Sequence, residues 1–188
     1  MASETKSLGA TMKHSGSNIE RIFNENLTLA IAALAAVPIA RGRTPSFQGL
    51  NGWVYEQTIR SCLEAELQLQ NVALPFQEQQ TLKGRAKVDL IVEGKKRKVA
   101  IEIKAGGIFG NDAERYKKYC EIAQNEKKWT YLYVTKQETH KPYYDATKAV
   151  FGPDAAFFLN EENGWHDFVT AVIKASTPDQ NHFPDDQE

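Results

Sequence analysis

The run Lys87-Val88-Asp89-Leu90-Ile91-Val92-Glu93, Gly94-Lys95-Lys96-Arg97, Lys98-Val99-Ala100-Ile101-Glu102-Ile103-Lys104 aligns two acids and a lysine if it folds as a hairpin. Val88, Leu90 and Val92 alternate with their neighbours, as do Val99, Ile101 and Ile103, and that period of two predicts strands with one buried face. With Gly94 to Arg97 as the connection, partners across the hairpin have numbers that sum to 191. Asp89 then faces Glu102, and Lys104 follows two residues on, on the same side. Two facing carboxylates repel, and neither ionises readily beside the other without a cation. A hard divalent ion meets that demand. Mg²⁺ keeps several waters and takes the rest of its shell from one or two carboxylates and substrate phosphate oxygens; Mn²⁺ is its plausible substitute. Lys104 stands where it could orient an attacking water.

The elements that must hold this hairpin follow from periodicity and punctuation. Residues 1–16, rich in Ser, Thr, Gly and Lys, read as a flexible arm. Ile19, Ile22, Phe23, Leu27, Ala30, Ile31 and Leu34 recur at helical spacing from Asn18 to Val37, and Pro38 stops them. A loop from Arg41 to Gln48 leads to a helix over 51–70 that carries Glu56, and residues 75–82 read as the first strand. After the hairpin, Ala105 to Gly110 form a glycine-rich loop ahead of a helix capped by Asn111 or Asp112. Strands over 129–135 and 155–159, helices over 144–150 and 165–175, and a disordered acidic tail over 177–188 complete the chain. This order predicts an α/β fold with a mixed central sheet flanked by helices, in a single domain over 17–176.

The arrangement resembles the PD-(D/E)xK nuclease superfamily, which holds many restriction endonucleases, junction resolvases and repair nucleases. In such families the first acid lies on the second strand and Glu-x-Lys on the third, the places of Asp89 and Glu102-Ile103-Lys104. They commonly add a glutamate on the helix before the sheet, in a Gly-x-x-aromatic-Glu setting that Gly52-Trp53-Val54-Tyr55-Glu56 fits. Some relatives carry an Arg-Tyr pair on the helix after the third strand, where Arg115-Tyr116 stand. The family's proline before the first acid is Val88 here. The likeness covers residues 50 to 135, and its specificity lies in the order of elements more than in any one residue. It implies a restriction endonuclease-like core, a Mg²⁺ held by Asp89, Glu102, the Ile103 carbonyl and Glu56, and catalysis by Asp89, Glu102, Lys104 and Glu56.

Composition bounds the alternatives. The 188 residues fit one domain. A net charge of -1 argues against a strongly basic, sequence-blind nucleic-acid binder, but the tail after Pro178 holds four acids, and without it 23 basic residues face 20 acidic ones. Lys83, Arg85 and Lys87 alternate on the approach to Asp89 and are the first choice for DNA phosphate contacts. The Lys95 to Lys98 group reads as a solvated hairpin tip. Cys62 and Cys120 are isolated, which disfavours a redox pair or a thiolate zinc site, and four scattered histidines show no zinc-ligand spacing. With no signal core and no run long enough to span a bilayer, a cytoplasmic protein without membrane association is expected.

The expected function is a Mg²⁺-dependent endodeoxyribonuclease, most like a small type II restriction endonuclease or its catalytic subunit, with DNA as partner. Cutting both strands favours a homodimer, and a separate specificity subunit is the other arrangement. The alternatives are a structure-specific junction or repair nuclease, a nuclease effector or toxin, and a catalytically inactive DNA-binding subunit.

Overall fold

Apolar residues recur every two or every three to four positions along the chain, and each period becomes the matching element in the computed structural model, which describes residues 16–36, 46–81, 87–105, 112–125, 129–136 and 141–177. The elements run α1 (Gly16–Ala36), α2 (Phe47–Leu69), β1 (Phe76–Thr81), β2 (Lys87–Glu93), β3 (Lys98–Lys104), α3 (Asp112–Asn125), β4 (Trp129–Thr135), α4 (Lys141–Phe151), β5 (Ala156–Phe158) and α5 (Gly164–Ser176). Two helices start earlier than the apolar spacing indicates. Ser46 caps α2, its Oγ accepting the Gly49 N–H at 3.1 Å, and this draws Phe47 to Leu50 into the helix. An exposed Lys141–Asp145 pair four residues apart, 2.7 Å, supports the added first turn of α4.

The strands form one mixed sheet in the order β1-β2-β3-β4-β5. β1, β2 and β3 are antiparallel neighbours, whereas β3, β4 and β5 run parallel. The hairpin has the expected register: Leu90 pairs with Ile101, Ile91 with Ala100, Val92 with Val99 and Glu93 with Lys98.

Both faces of the sheet are covered, which corrects the expectation that the hairpin buries one face. α2 and α5 pack over Leu90, Val92, Val99, Ile101, Ile103, Leu132 and Val134. On the other side α3 and α4 enclose Ile91, Ala100, Tyr131, Tyr133 and Phe158 around Tyr116 and Phe151. β3 is central, with five of its seven residues buried, because parallel crossovers put helices on both faces. Val88 breaks the alternation read from the sequence: it packs in the α3 and α4 layer with Ile91 and Ala100, not with Leu90 and Val92. The break falls beside Asp89, where β2 parts from β3.

α1 lies mainly on α2 instead of on the sheet. Ile19 and Phe23 are buried, Phe23 meets Tyr55 edge-on at 5.4 Å, and Asn26 donates to Thr58 Oγ1 at 3.1 Å. Leu29, Ile31 and Leu34 in its second half are exposed. No helix among the described residues is long and apolar enough to cross a membrane. The arm before Gly16, the tail after Thr177, Lys83 and Arg85, and the glycine loop after Ala105 lie outside the described residues.

Candidate active site

The site begins where a ladder fails. The β2–β3 register ends at Leu90 and Ile101. In an antiparallel hydrogen-bonded pair one residue sends both its N–H and its C=O to the same partner, so the next such pair would join Ile103 to Val88. The Ile103 N–H donates instead to Asp89 Oδ2, at 2.8 Å. The Asp89 side chain has thus turned toward the plane of the sheet and taken over a backbone bond. The same pairing rule aims the Ile103 carbonyl into the gap this opens.

Glu102 is buried on the α3 side of β3, 4% exposed, and three side chains donate to it. The Lys104 ammonium lies 2.6 Å from Oε1 and the Tyr116 hydroxyl donates to the same oxygen at 2.9 Å. The Tyr131 hydroxyl reaches Oε2 at 3.3 Å. Behind Tyr116, Arg115 donates to the phenol oxygen at 2.9 Å and ion-pairs with Asp112 at 3.0 Å. Lys104 also donates to Asp89 Oδ2 at 3.3 Å, so one ammonium bridges the two acids. Extending the register by one pair sets Asp89 opposite Glu102, and Lys104 falls two residues on as the period of two requires.

Glu56 enters from α2, on the other side of the gap. A cleft of about 10 Å³, the lower limit for one water, lies among Glu56, Asp89, Ile103, Leu90 and Arg60. Burial, reinforced by the nearby Asp89 charge, pushes the Glu56 carboxyl up to about 7 even though Lys104 opposes the shift. Burial and then Asp89 also raise Glu102 above the usual carboxylate range. Burial alone would lower Lys104, but the Glu102 and Asp89 charges outweigh it and hold the ammonium charged. Three acids share one lysine, and two of them resist ionising.

No protein-family model matches the chain, and no curated protein matches it.

The donor set suits a hard cation. Among the described residues no three His, Cys, Asp or Glu side chains are gathered into a ready cage. Mg²⁺ does not require one, since it binds through one or two carboxylates and keeps its waters. Asp89, Glu56 and the Ile103 carbonyl offer only oxygen, they border a cleft of single-atom scale, and their surplus negative charge is what a divalent ion would neutralise.

The expected site residues Asp89, Glu102, Ile103, Lys104 and Glu56 are therefore brought together. Arg115 and Tyr116 join them through Glu102. Lys87 opens β2, two positions before Asp89; its side chain, like Lys83 and Arg85, lies outside the described residues. Tyr131 is the residue that sequence reasoning missed, because a tyrosine on a buried strand reads as packing. A signal existed: with β4 alongside β3, Tyr131 and Tyr133 share the face that carries Glu102. The Lys95 to Arg97 tip is exposed as expected, and Lys98 pairs with Glu93 at 2.7 Å.

Proposed function

We propose that this chain is a Mg²⁺-dependent endodeoxyribonuclease with a restriction endonuclease-like core, hydrolysing DNA phosphodiester bonds. The observation that carries this reading is the meeting of Asp89, Glu102 and Lys104 where β2 and β3 part, beside the Ile103 backbone. Asp89, Glu102 and the Ile103 carbonyl would hold the ion, and Glu56 would hold a water of its shell or a second ion. A bound Mg²⁺ supplies charge to a phosphoryl oxygen and lowers the pKa of a water. Lys104 positions the nucleophile and offsets the phosphoryl charge. Tyr116, braced by Arg115, and Tyr131 fix the Glu102 carboxylate so that its orientation costs nothing during the reaction.

The phosphates of that DNA are met by Lys83, Arg85 and Lys87, whose alternation leads toward Asp89 in the sequence, and by the exposed Lys117 and Lys118 of α3. A two-fold dimer would bring one site to each strand, with a separate specificity subunit as the other arrangement. Free Cys62 and Cys120 thiols accord with a cytoplasmic setting.

One observation favours a second reading. Lys104 already bridges Asp89 and Glu102, so the cluster is also what an inactive DNA-binding subunit would keep as a self-contained ion network. Plasmid DNA incubated with the protein in Mg²⁺, beside EDTA and Glu102→Ala lanes, separates the two. Cleavage that EDTA and the variant abolish supports the nuclease. Intact plasmid in Mg²⁺ and in Mn²⁺, with DNA retained in a gel shift, establishes the binding subunit.

A further inference from the structure

A second cavity lies away from the carboxylates. It has a volume of about 330 Å³ and opens between the hairpin tip, α3, the start of β4 and the end of α4. Its walls include Arg97, Cys120, Ala123, Trp129, Tyr131 and Phe151. No residue of the Glu56 cleft lines it. The volume falls at the lower end of small-molecule sites, which suits one ring system with a short substituent.

The lining chemistry selects the occupant. Half-buried Trp129 offers aromatic surface, and the buried Tyr131 and Phe151 rings, 5.5 Å apart at 35°, form the floor behind it. Such surfaces hold flat π-systems by stacking. Among the described residues no acid lines the cavity. Arg97 at its mouth is exposed and makes no hydrogen bond or ion pair among the described residues. The neighbouring cation, Lys98, is engaged by Glu93 and sits 5.5 Å from the Trp129 ring centre. Aromatic walls with an uncommitted guanidinium at the rim suit a planar aromatic group carrying a phosphate.

We infer that this cavity binds a nucleoside monophosphate unit, its base on Trp129 above the floor of Tyr131 and Phe151 and its phosphate on Arg97. The inference does not depend on the nuclease reading. That chemistry has two sources, a free mononucleotide or the phosphorylated end of a nucleic-acid strand. Occupancy has a route to Glu102, because the Tyr131 ring forms part of the wall while its hydroxyl donates to that carboxylate.

Cys120 lines the cavity and Cys62 does not, so the protein carries its own reporter and reference. The test measures N-ethylmaleimide labelling of each thiol by mass spectrometry, with dAMP, adenosine or a 5′-phosphorylated single-stranded oligonucleotide present, alongside calorimetric titration. Saturable dAMP binding is expected that slows labelling at Cys120 and leaves the Cys62 rate unchanged. Arg97→Gln, at an exposed tip, should weaken that binding on the order of tenfold, and adenosine should bind as weakly as dAMP does to the variant. Protection by the oligonucleotide and not by dAMP assigns the site to a strand end. No protection of Cys120 by either probe overturns the inference, as does dAMP binding that Arg97→Gln leaves unchanged.

Discussion

Asp89 holds the Ile103 amide at 2.8 Å in the place where the backbone of Val88 would have paired with it. The carboxylate therefore ends the β2–β3 ladder and joins the candidate site, two tasks that substitution can separate. Asp89→Asn keeps an acceptor for the Ile103 N–H and removes the charge. Asp89→Ala loses both and leaves the amide unpaired, which should cost about 1–3 kcal/mol. Urea unfolding is expected to show Asp89→Asn near wild type and Asp89→Ala destabilised, while both lose metal-dependent plasmid cleavage. Activity retained by Asp89→Asn would remove Asp89 from the metal site.

Tyr116 and Arg115 act on Glu102 from behind. Tyr116→Phe deletes the 2.9 Å donor to Oε1 and leaves the Arg115 guanidinium with Asp112 alone. Partners of this kind typically matter by roughly 10- to 100-fold in metal affinity or activity when removed. The expected result is a loss of that size in cleavage rate at low Mg²⁺, partly recovered at high Mg²⁺. A loss that no Mg²⁺ concentration reduces would show that Tyr116 does not work through the ion.

Much of this site was legible because a strand period of two and a four-residue connection leave one register, and that register alone aligns Asp89 with Glu102 and Lys104. Glu56 and Arg115-Tyr116 were legible by element order. The turn of Asp89 toward the sheet plane, and with it the displacement of Val88 to the other layer, was not, because both depend on how far β2 and β3 part in three dimensions. Tyr131 was hidden by its second role as a core ring. The half-exposed α1 was hidden too, since a run such as Leu27 to Ala36 has the same composition whether it is covered or bare.

Glu56 sets a pH dependence whose sign follows from its shift. Its folded-state pKa is about 7 against an unfolded value of 4.5, so the folded protein holds that proton more tightly. The stability this provides is complete below the unfolded value and is lost as pH rises through about 7. Glu56→Gln mimics the protonated form at every pH. In metal-free buffer, the melting temperature of Glu56→Gln minus that of wild type should be small near pH 4.5 and grow to a plateau above pH 7, and Mg²⁺ should shrink the difference. A flat difference across that window would place Glu56 in an ordinary solvated setting.

Tyr55 carries a visible cost in the core. Tyr55 is 1% exposed, and its hydroxyl has no hydrogen-bond partner among the described residues. A buried donor left unpaired costs about 1–3 kcal/mol. Tyr55→Phe keeps the ring that Phe23 meets edge-on and deletes only that hydroxyl. Chemical denaturation should show Tyr55→Phe more stable than wild type by about 1 kcal/mol. A destabilised variant would mean that the hydroxyl is bonded in solution.

Lys104 decides between an ion network and a metal site. Its ammonium is the cation shared by Asp89 and Glu102, so Lys104→Met leaves two close acids without neutralisation. Breaking a buried pair in this way costs about 3–5 kcal/mol. Because Lys104 keeps 32% of its side chain exposed, solvent screening reduces the expected loss to about 1–3 kcal/mol. If the acids form a metal site, Mg²⁺ meets less competition in the variant and should raise its melting temperature more than it raises that of wild type. If they form only an ion network, Lys104→Met is destabilised and Mg²⁺ restores nothing. Thermal melts of both proteins across a Mg²⁺ series read this directly, with no substrate needed. A larger Mg²⁺ shift together with lost cleavage would assign Lys104 to the nucleophile and the acids to the ion.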